Sequence, residues 1–296
     1  MAEEHTDTAP QDAFALLGNE VRASILRTLA APEDEGPWKE LGFAELHRRV
    51  DPGMDSSQFN YHLQQLVDHY VRSTEDGYQI SPAGVKLYRT IVAGTFTREA
   101  TIEPFEAGFE CHFCGAAVGG SFEDDQFQVV CPDCGHVYTS NIVPPSVVEE
   151  GEAMLHRVDQ FTRHEMQIAA ETVCPTCLNE MDADLVPTEE MHFTSNDEVD
   201  VMARLSCDHC GSKRFMTVGT ALLTETSLIA FAHDHGVDVN ATPIWELEFA
   251  STDRHVDVRS RDPWEVVLSL TLDGETLELV VDDDLEVIEE TRMEVQ

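Results

Sequence analysis

Apolar residues in the N-terminal third of the chain recur at helical spacing, which predicts a series of helices. Residues 12–30 form the first of these, and Asn19 is placed to cap it internally. A loop rich in proline, glycine and acidic residues follows, and Phe43–Val50 then predicts a short amphipathic helix. The next predicted helix spans Asp55–Val71, where Asp55 and Gln58 have the spacing of a capping box.

Two strand-like runs follow within residues 71–80, on either side of Glu75-Asp76-Gly77, which is a hairpin signal. Ser81-Pro82 then has the composition of a helix start, with serine as the cap and proline in the first turn. The order helix, helix, helix, hairpin, helix is that of a winged helix-turn-helix. The pattern therefore predicts such a domain at residues 12–95.

Several local segments strengthen this prediction: FALLGNEVRASILRTL, FAELHRRV, SSQFNYHLQQL and the Asp-Gly-tipped hairpin followed by ISPAG. Together they resemble the ArsR-like winged-helix regulators of archaea. The resemblance implies that the helix Asp55–Val71 lies in the DNA major groove and that the hairpin touches the adjacent backbone. The expected DNA contacts are Ser56, Ser57, Gln58, Asn60, Tyr61, Gln64 and Arg72.

The chemistry of these side chains suits DNA, because Asn and Gln pair bidentately with adenine and hydroxyl groups bond phosphates or base edges. The alternative interpretation is an ordinary solvated helix face. ArsR-type metal sensors often carry sensing cysteines on the winged helix, but this chain has no cysteine before Cys111. The sequence therefore excludes a thiolate metal switch inside the predicted DNA-binding domain.

All eight cysteines occur in four Cys-x-x-Cys knuckles. The knuckles Cys111/Cys114 and Cys131/Cys134 make one set, and Cys174/Cys177 with Cys207/Cys210 make the other. Two-residue spacing lets both thiolates of a knuckle face one tetrahedral ion, and strand-like stretches between the knuckles are typical of zinc ribbons. We therefore predict two structural Zn²⁺ ions per chain, rather than free thiols, a redox dithiol or an iron–sulfur cluster.

The remaining segments predict an α+β multidomain protein. Zinc ribbons are expected at residues 108–142 and 172–218, with a connecting helix at 145–171 between them. Residues 219–296 are expected to form a small acidic α+β domain with a mainly antiparallel sheet. Its predicted strands are Trp245–Ala250, His255–Ser260, Trp264–Leu272, Thr276–Val281 and Leu285–Glu289. The whole arrangement resembles haloarchaeal multidomain regulators.

The charge balance is extreme, with 57 acidic and 18 basic residues and a formal net charge of −39. Such a chain repels itself in dilute salt, whereas at about 1 M salt the Debye length falls to about 3 Å. Acid excess with few lysines is typical of halophiles that accumulate salt. Residues 11–100 carry nine basic against 13 acidic residues, so the predicted DNA-binding domain is far closer to neutral than the rest.

These observations favour a sequence-specific, DNA-binding transcriptional regulator. The expected partner is double-stranded DNA, bound by a homodimer, with the transcription machinery as a further partner. The alternative is a basal transcription accessory factor, because a winged helix followed by a zinc ribbon also resembles archaeal transcription factor E. No nucleophile–base pair or phosphate-binding glycine loop indicates an enzyme. The polar, acidic N-terminus and the lack of long apolar runs predict a cytoplasmic protein that makes no membrane contact.

Overall fold

The computed structural model describes residues 15–31, 39–123, 126–188 and 199–294, without the side chains of residues 149–152. The chain divides into two compact units, residues 1–98 and 99–296. Both units combine helices with antiparallel sheets, so the α+β class predicted from the sequence is confirmed. Each unit is described separately below.

The N-terminal unit follows the predicted order of elements. Its described elements are α1 (Glu20–Ala30), β1 (Glu40–Leu41), α2 (Phe43–Val50), α3 (Ser56–Leu66), β2 (Val71–Ser73), β3 (Tyr78–Ile80) and α4 (Pro82–Val92). The three short strands pair antiparallel in the order β1-β3-β2. The helices enclose a small core in which Ile25, Phe59 and Leu63 are fully buried.

Helix caps fix where the helices of this unit begin. The Asn19 side chain accepts hydrogen bonds from the amides of Val21 and Arg22, and Ser81 caps α4 in the same way. Asp55 caps α3, as its sequence position indicates. The predicted helix Asp55–Val71 is too long, however. It ends at Leu66, and Asp68 has a left-handed backbone with φ of 68° that no α-helix accommodates.

The C-terminal unit is built from three antiparallel sheets. The first contains β4 (Ile102–Glu110), β5 (Ala117–Glu123), β6 (Gln126–Val130) and β7 (Val137–Ile142), paired in sequence order. The second contains β8 (Asp182–Pro187), β9 (Val201–Ser206) and β10 (Lys213–Met216), in the order β10-β9-β8. The third contains β11 (Val256–Arg261), β12 (Trp264–Leu272), β13 (Glu275–Val281) and β14 (Val287–Glu294), again in sequence order.

Helical segments connect these sheets. A 3₁₀ segment, Pro145–Ala153, leads into α5 (Met154–Ala170), and after β10 come α6 (Val218–Ala221), a 3₁₀ turn (Leu222–Thr224), α7 (Thr226–Asp234), a 3₁₀ turn (Ile244–Glu246) and α8 (Glu248–Ser251). Among the described residues, no helix has the length and hydrophobicity that a bilayer crossing requires.

One hydrophobic core is shared by the segments of this unit that the sequence analysis treats as two zinc ribbons, a connecting helix and an α+β domain. One cluster of buried residues includes Phe122 and Phe127 of the first sheet, Val158 of α5, Trp245 of the 3₁₀ turn Ile244–Glu246, and Leu279 of the third sheet. Each small sheet offers one apolar face, and packing the faces together removes them from water. The segments therefore fold as one compact unit.

The sequence-based strand at Trp245–Ala250 is wrong. Alternating apolar residues suggested a strand there, but the segment forms the 3₁₀ turn Ile244–Glu246 and the helix α8. Trp245 and Phe249 are both buried, and the hydroxyl groups of Thr217 and Thr220 donate to the Ala250 carbonyl. A short apolar run does not by itself distinguish a strand from a buried helical turn, so tertiary contacts decide.

Helix α5 buries an ion pair that its apolar pattern does not reveal. Two apolar residues of this helix, Phe161 and Ile168, are exposed. Asp159 and Arg163 are instead buried, with side chains 2% and 3% exposed and a 3.7 Å separation between carboxylate and guanidinium atoms. Asp159 also accepts from the Ile244 amide at 2.7 Å, and Arg163 donates to the Thr242 carbonyl at 2.7 Å. The pair thus ties α5 to the turn before Trp245.

We expect Asp159→Ala to lower the free energy of unfolding of the C-terminal unit by about 3–5 kcal/mol, because it leaves the Arg163 charge buried and unpaired. The exposed pair Arg254–Glu248, at 3.1 Å, provides a matched control. There Glu248→Ala should cost less than about 1 kcal/mol. Denaturant unfolding at constant KCl, followed by tryptophan fluorescence, measures both. Equal effects of the two substitutions would contradict a structural role for the buried pair.

Candidate metal centres and nucleic-acid interface

All four Cys-x-x-Cys knuckles adopt the same hydrogen-bonded turn. In the first, the Cys111 amide donates to the Ala116 carbonyl at 2.7 Å and the Gly115 amide donates to the Cys111 carbonyl at 2.8 Å. The other three knuckles repeat both bonds at distances between 2.8 and 3.0 Å. The local sequence therefore shapes each knuckle, and the sheets then bring the knuckles together in pairs.

The paired knuckles form two clusters of four cysteines, as their order in the sequence predicted. In the first cluster the sulfur atoms of Cys111 and Cys134 lie 3.6 Å apart, and those of Cys114 and Cys131 lie 3.5 Å apart. In the second cluster, the Cys174–Cys210 and Cys177–Cys207 sulfur pairs are both separated by 3.6 Å. Disulfide sulfurs would lie at about 2.05 Å. A tetrahedral ion with bonds of about 2.3 Å to sulfur sets its ligands about 3.8 Å apart, so each cluster has room for one metal ion.

The hydrogen bonds around the sulfurs favour the thiolate form in part of each cluster. Burial raises the pKa of Cys111, but hydrogen bonds from the Tyr138 hydroxyl and from the amides of Cys114 and Phe113 outweigh it and bring the pKa to about 6. Burial and contacts with neighbouring sulfurs raise the pKa of Cys134 to about 12. The second cluster shows the same contrast, with a pKa of about 6 for Cys174 and about 12 for Cys210.

Repulsion between neighbouring thiolates further limits how many sulfurs of a cluster deprotonate together. Two thiolates at such a distance repel each other by about 1–5 kcal/mol at the effective dielectric constants of protein surfaces and water. Full deprotonation of four sulfurs therefore needs a cation among them. A divalent ion would remove the remaining protons and hold all four thiolates, leaving no open position for a substrate or for an activated water molecule.

Side chains outside the knuckles also contact the sulfurs, and sequence reasoning did not identify them. The Tyr138 hydroxyl donates to the Cys111 sulfur at 3.2 Å and accepts from the His112 amide at 2.8 Å. In the second cluster, the Asn179 side-chain amide lies 3.5 Å from the Cys177 sulfur. Donors of this kind orient the ligands of a metal site. Tyr138 lies on β7 and Cys111 directly follows β4, so the two meet only because the first sheet folds these segments together. The spacing of the residues in the sequence does not reveal this contact.

The histidines next to the knuckles are not part of either cluster. Within the described residues, the groups that could hold a metal ion consist of cysteines alone. His136 is buried between the rings of Phe113 and Tyr138, at centroid distances of 4.4 and 4.6 Å. The His112 ring lies 3.2 Å from the Trp245 carbonyl. Both therefore support the surroundings of the first cluster instead of ligating.

The expected DNA contacts lie on one exposed face of the N-terminal unit. Helix α3 buries Phe59, Leu63 and Leu66. The predicted contact residues on α3 are all exposed: Ser56, Ser57, Gln58, Asn60, Tyr61 and Gln64. Arg72 is exposed on β2, and the Gln64 side chain approaches the Tyr78 hydroxyl of β3 at 3.5 Å. Helix and hairpin therefore present their polar groups side by side.

The start of α3 is arranged around Asp55. Its carboxylate accepts from the amides of Ser57 and Gln58 and from the Ser57 hydroxyl, so this hydroxyl is already engaged. Hydrogen bonds from the Ser57 side chain and backbone hold the pKa of Asp55 below its usual range. Asn60 and Gln64, one turn apart, are both exposed, and amide groups of this kind suit base edges, although the Gln64 amide also approaches the Tyr78 hydroxyl.

Comparisons with known proteins match two separate regions of the chain. Residues 108–287 match the family described as Domain of unknown function (DUF7351), and residues 10–91 match that described as Domain of unknown function (DUF7347). No curated protein and no solved structure gives a match. The first family therefore spans both cysteine clusters, and the second spans the exposed polar face of α3.

We expect two metal ions per chain, and Cys111→Ser or Cys174→Ser should each remove one ion while leaving the other bound. Each substitution replaces a buried thiolate that the remaining three ligands need. Native mass spectrometry of the purified chain counts the ions directly. Loss of both ions from either variant would contradict two independent sites, as would one ion or none in the unaltered chain.

Proposed function

This chain belongs to the DUF7351 family, whose model matches residues 108–287, and we propose that it is a sequence-specific DNA-binding transcriptional regulator held together by two structural zinc ions. The observation that carries the proposal is the arrangement of α2, α3 and the β2–β3 hairpin. Two helices joined by a short turn, followed by an antiparallel hairpin and a further helix, suit a winged helix-turn-helix.

The exposed face of α3 supports DNA as the ligand. Its first two turns carry hydroxyl and amide side chains, and the N-terminal residues of a recognition helix are those that contact base edges. Arg72, which is exposed on β2 of the hairpin, is a candidate contact for a DNA phosphate. The N-terminal unit is also the less acidic one, so it repels DNA least. We further propose a cytoplasmic homodimer bound to double-stranded DNA, because two copies add avidity where single contacts are weak.

Zinc suits the two cysteine clusters. Four sulfur ligands at tetrahedral separations, held by amide hydrogen bonds in tight turns, are typical of structural zinc sites. The first cysteine of each knuckle is buried, whereas the second is more exposed. Each ion would therefore fasten a sheet edge to the core of the C-terminal unit and contribute to folding without taking part in a reaction.

Asn60→Ala and Gln64→Ala should each weaken binding to the operator by about 5-fold to 150-fold, since each removes a bidentate base contact of about 1–3 kcal/mol. Genomic footprinting of the tagged protein in its source organism first supplies the operator as discrete peaks. Electrophoretic mobility shifts with that operator then measure the affinities. Broad occupancy of promoters, without discrete peaks, would instead indicate a basal transcription factor.

A control for this experiment is Thr90→Ala, because Thr90 lies on α4, is not among the predicted contacts, and its hydroxyl donates to the Lys86 carbonyl of its own helix. Its affinity should remain unchanged. All variants should keep two zinc ions and the wild-type circular dichroism spectrum. If Asn60→Ala and Gln64→Ala bind as well as the control, the assignment of α3 as the recognition helix is wrong.

DNA affinity should depend only weakly on salt between about 1 M and about 3 M KCl. The slope of log K against log salt concentration is about −0.9 for each phosphate contact with a basic residue. The predicted contacts include one arginine, Arg72, among six uncharged side chains. Binding then depends on hydrogen bonds and shape instead of counterion release. A fluorescence-anisotropy titration over this range measures the slope, and a steep collapse of affinity would contradict the uncharged interface.

A further inference from the structure

One of the four knuckles departs from the others at a single position. The residue directly after the second cysteine has a left-handed backbone in every knuckle, with φ of 77° at Gly115, 74° at Gly135, 62° at Leu178 and 74° at Gly211. Glycine occupies this position in three knuckles, and leucine occupies it in the third. The third knuckle therefore carries a large apolar side chain at a position that glycine adopts without strain.

Leucine in this conformation is strained. A Cβ atom at Gly115 or Gly211 would meet nothing within 4 Å, so space does not demand glycine there. The backbone conformation demands it, because an L-residue pays about 1–2 kcal/mol in the left-handed region. Residues held in such conformations cluster at functional sites, where another interaction outweighs the strain.

Packing inside the chain does not explain Leu178, because its side chain is 75% exposed. Two apolar residues that precede this knuckle in the chain are also exposed: Val173, which pairs with Glu180 just after the knuckle, at 38%, and Ile168, in the last turn of α5, at 41%. The Val173 amide donates to the Ile168 carbonyl at 3.1 Å, which holds these two residues together. Thr172 between them has φ of 57°, an uncommon conformation for a β-branched residue. We call Ile168, Val173 and Leu178 the knuckle patch.

Acidic residues lie beside the knuckle patch along the chain. Glu171, Glu180 and Asp182 are all exposed. Burial, together with the neighbouring carboxylates of Glu171, Glu286 and Glu290, raises the pKa of Glu225. This negative charge disfavours binding of nucleic acid, and it also disfavours contact with the same face of a second copy of the chain.

From the strained, exposed leucine and its acidic rim, we infer that the knuckle patch is a docking site for a different protein, one that presents an apolar pocket rimmed by lysine or arginine. Leu178 enters the pocket, Val173 and Ile168 extend the apolar contact, and the acidic residues pair with the basic rim. The binding energy that the leucine contributes offsets its backbone strain. This inference does not depend on DNA binding by the N-terminal unit.

The first test places a photo-crosslinking benzophenone amino acid at position 178 of the full chain in cells of the source organism. Position 288 is the control, because Ile288 is also exposed and apolar but lies on β14. We expect one protein to be cross-linked from position 178 and not from position 288. Cross-linking only to DNA or to a second copy, or equal yields from both positions, would overturn the inference.

The second test measures the affinity of the captured protein, purified, for full-length variants. Leu178→Gly and Leu178→Asn should weaken binding about tenfold or more, as expected for losing one buried leucine, whereas Leu178→Met should bind nearly as wild type. Asparagine tolerates the left-handed backbone, so it separates lost apolar contact from backbone strain. Equal affinity of all variants would overturn the docking site.

A stability measurement separates docking from packing. Leu178→Gly should keep two bound metal ions and leave the melting temperature unchanged or raised, because the strain is relieved. Gly211→Ala provides the matched control, because it should change the melting temperature in the opposite direction. It introduces strain at the equivalent position of the facing knuckle and should lower the melting temperature by about 2–4 °C. A clear fall for Leu178→Gly would mean that the leucine packs within the chain, and the inference would fail.

Discussion

The C-terminal unit depends on two clusters of four cysteines, in which pairs of sulfur atoms lie about 3.6 Å apart. The chain that holds them already carries a net charge of −39. Thiolates at that distance repel one another, so the clusters need either protons or a cation. The amide hydrogen bonds of the knuckles, Tyr138 in the first cluster and Asn179 in the second lower the cost of negative charge on sulfur. A divalent ion bound among the sulfurs would neutralise the remaining negative charge.

The rest of the unit is organised around the clusters. Cys111 and Cys131 belong to the same buried cluster as Phe122, Val158 and Trp245, so the first metal centre is continuous with the main core. The second centre has a smaller core of its own, which includes Cys174, Cys207 and Ala169 at the end of α5. Helix α5 contributes Val158 to the first core and Ala169 to the second, and its buried Asp159–Arg163 pair connects it to the turn before Trp245.

The two units carry different chemistry, which fits a division of roles. The N-terminal unit presents uncharged hydrogen-bonding groups on α3 and has few excess acidic residues. The C-terminal unit is strongly acidic and presents apolar groups at the knuckle patch. The first surface suits base edges, whereas the second suits a basic protein surface. This difference is consistent with the proposals that the N-terminal unit binds DNA and that the C-terminal unit binds a partner protein.

The sequence by itself determined the features that depend on neighbours along the chain: the caps at Asn19 and Asp55, the hairpin after α3, and the four knuckles with their pairing into two sets. Tertiary structure decided the rest. The Trp245–Ala250 segment forms helical turns because the burial of its side chains outweighs its strand-like alternation of apolar and polar residues. Asp159 and Arg163 can be buried because Ile244 and Thr242, which are distant in sequence, form hydrogen bonds with their charged groups. The sequence shows Leu178 where the other three knuckles have glycine, but only the structure shows that this leucine has a left-handed backbone and an exposed side chain, because both depend on the folded backbone and on what packs against it.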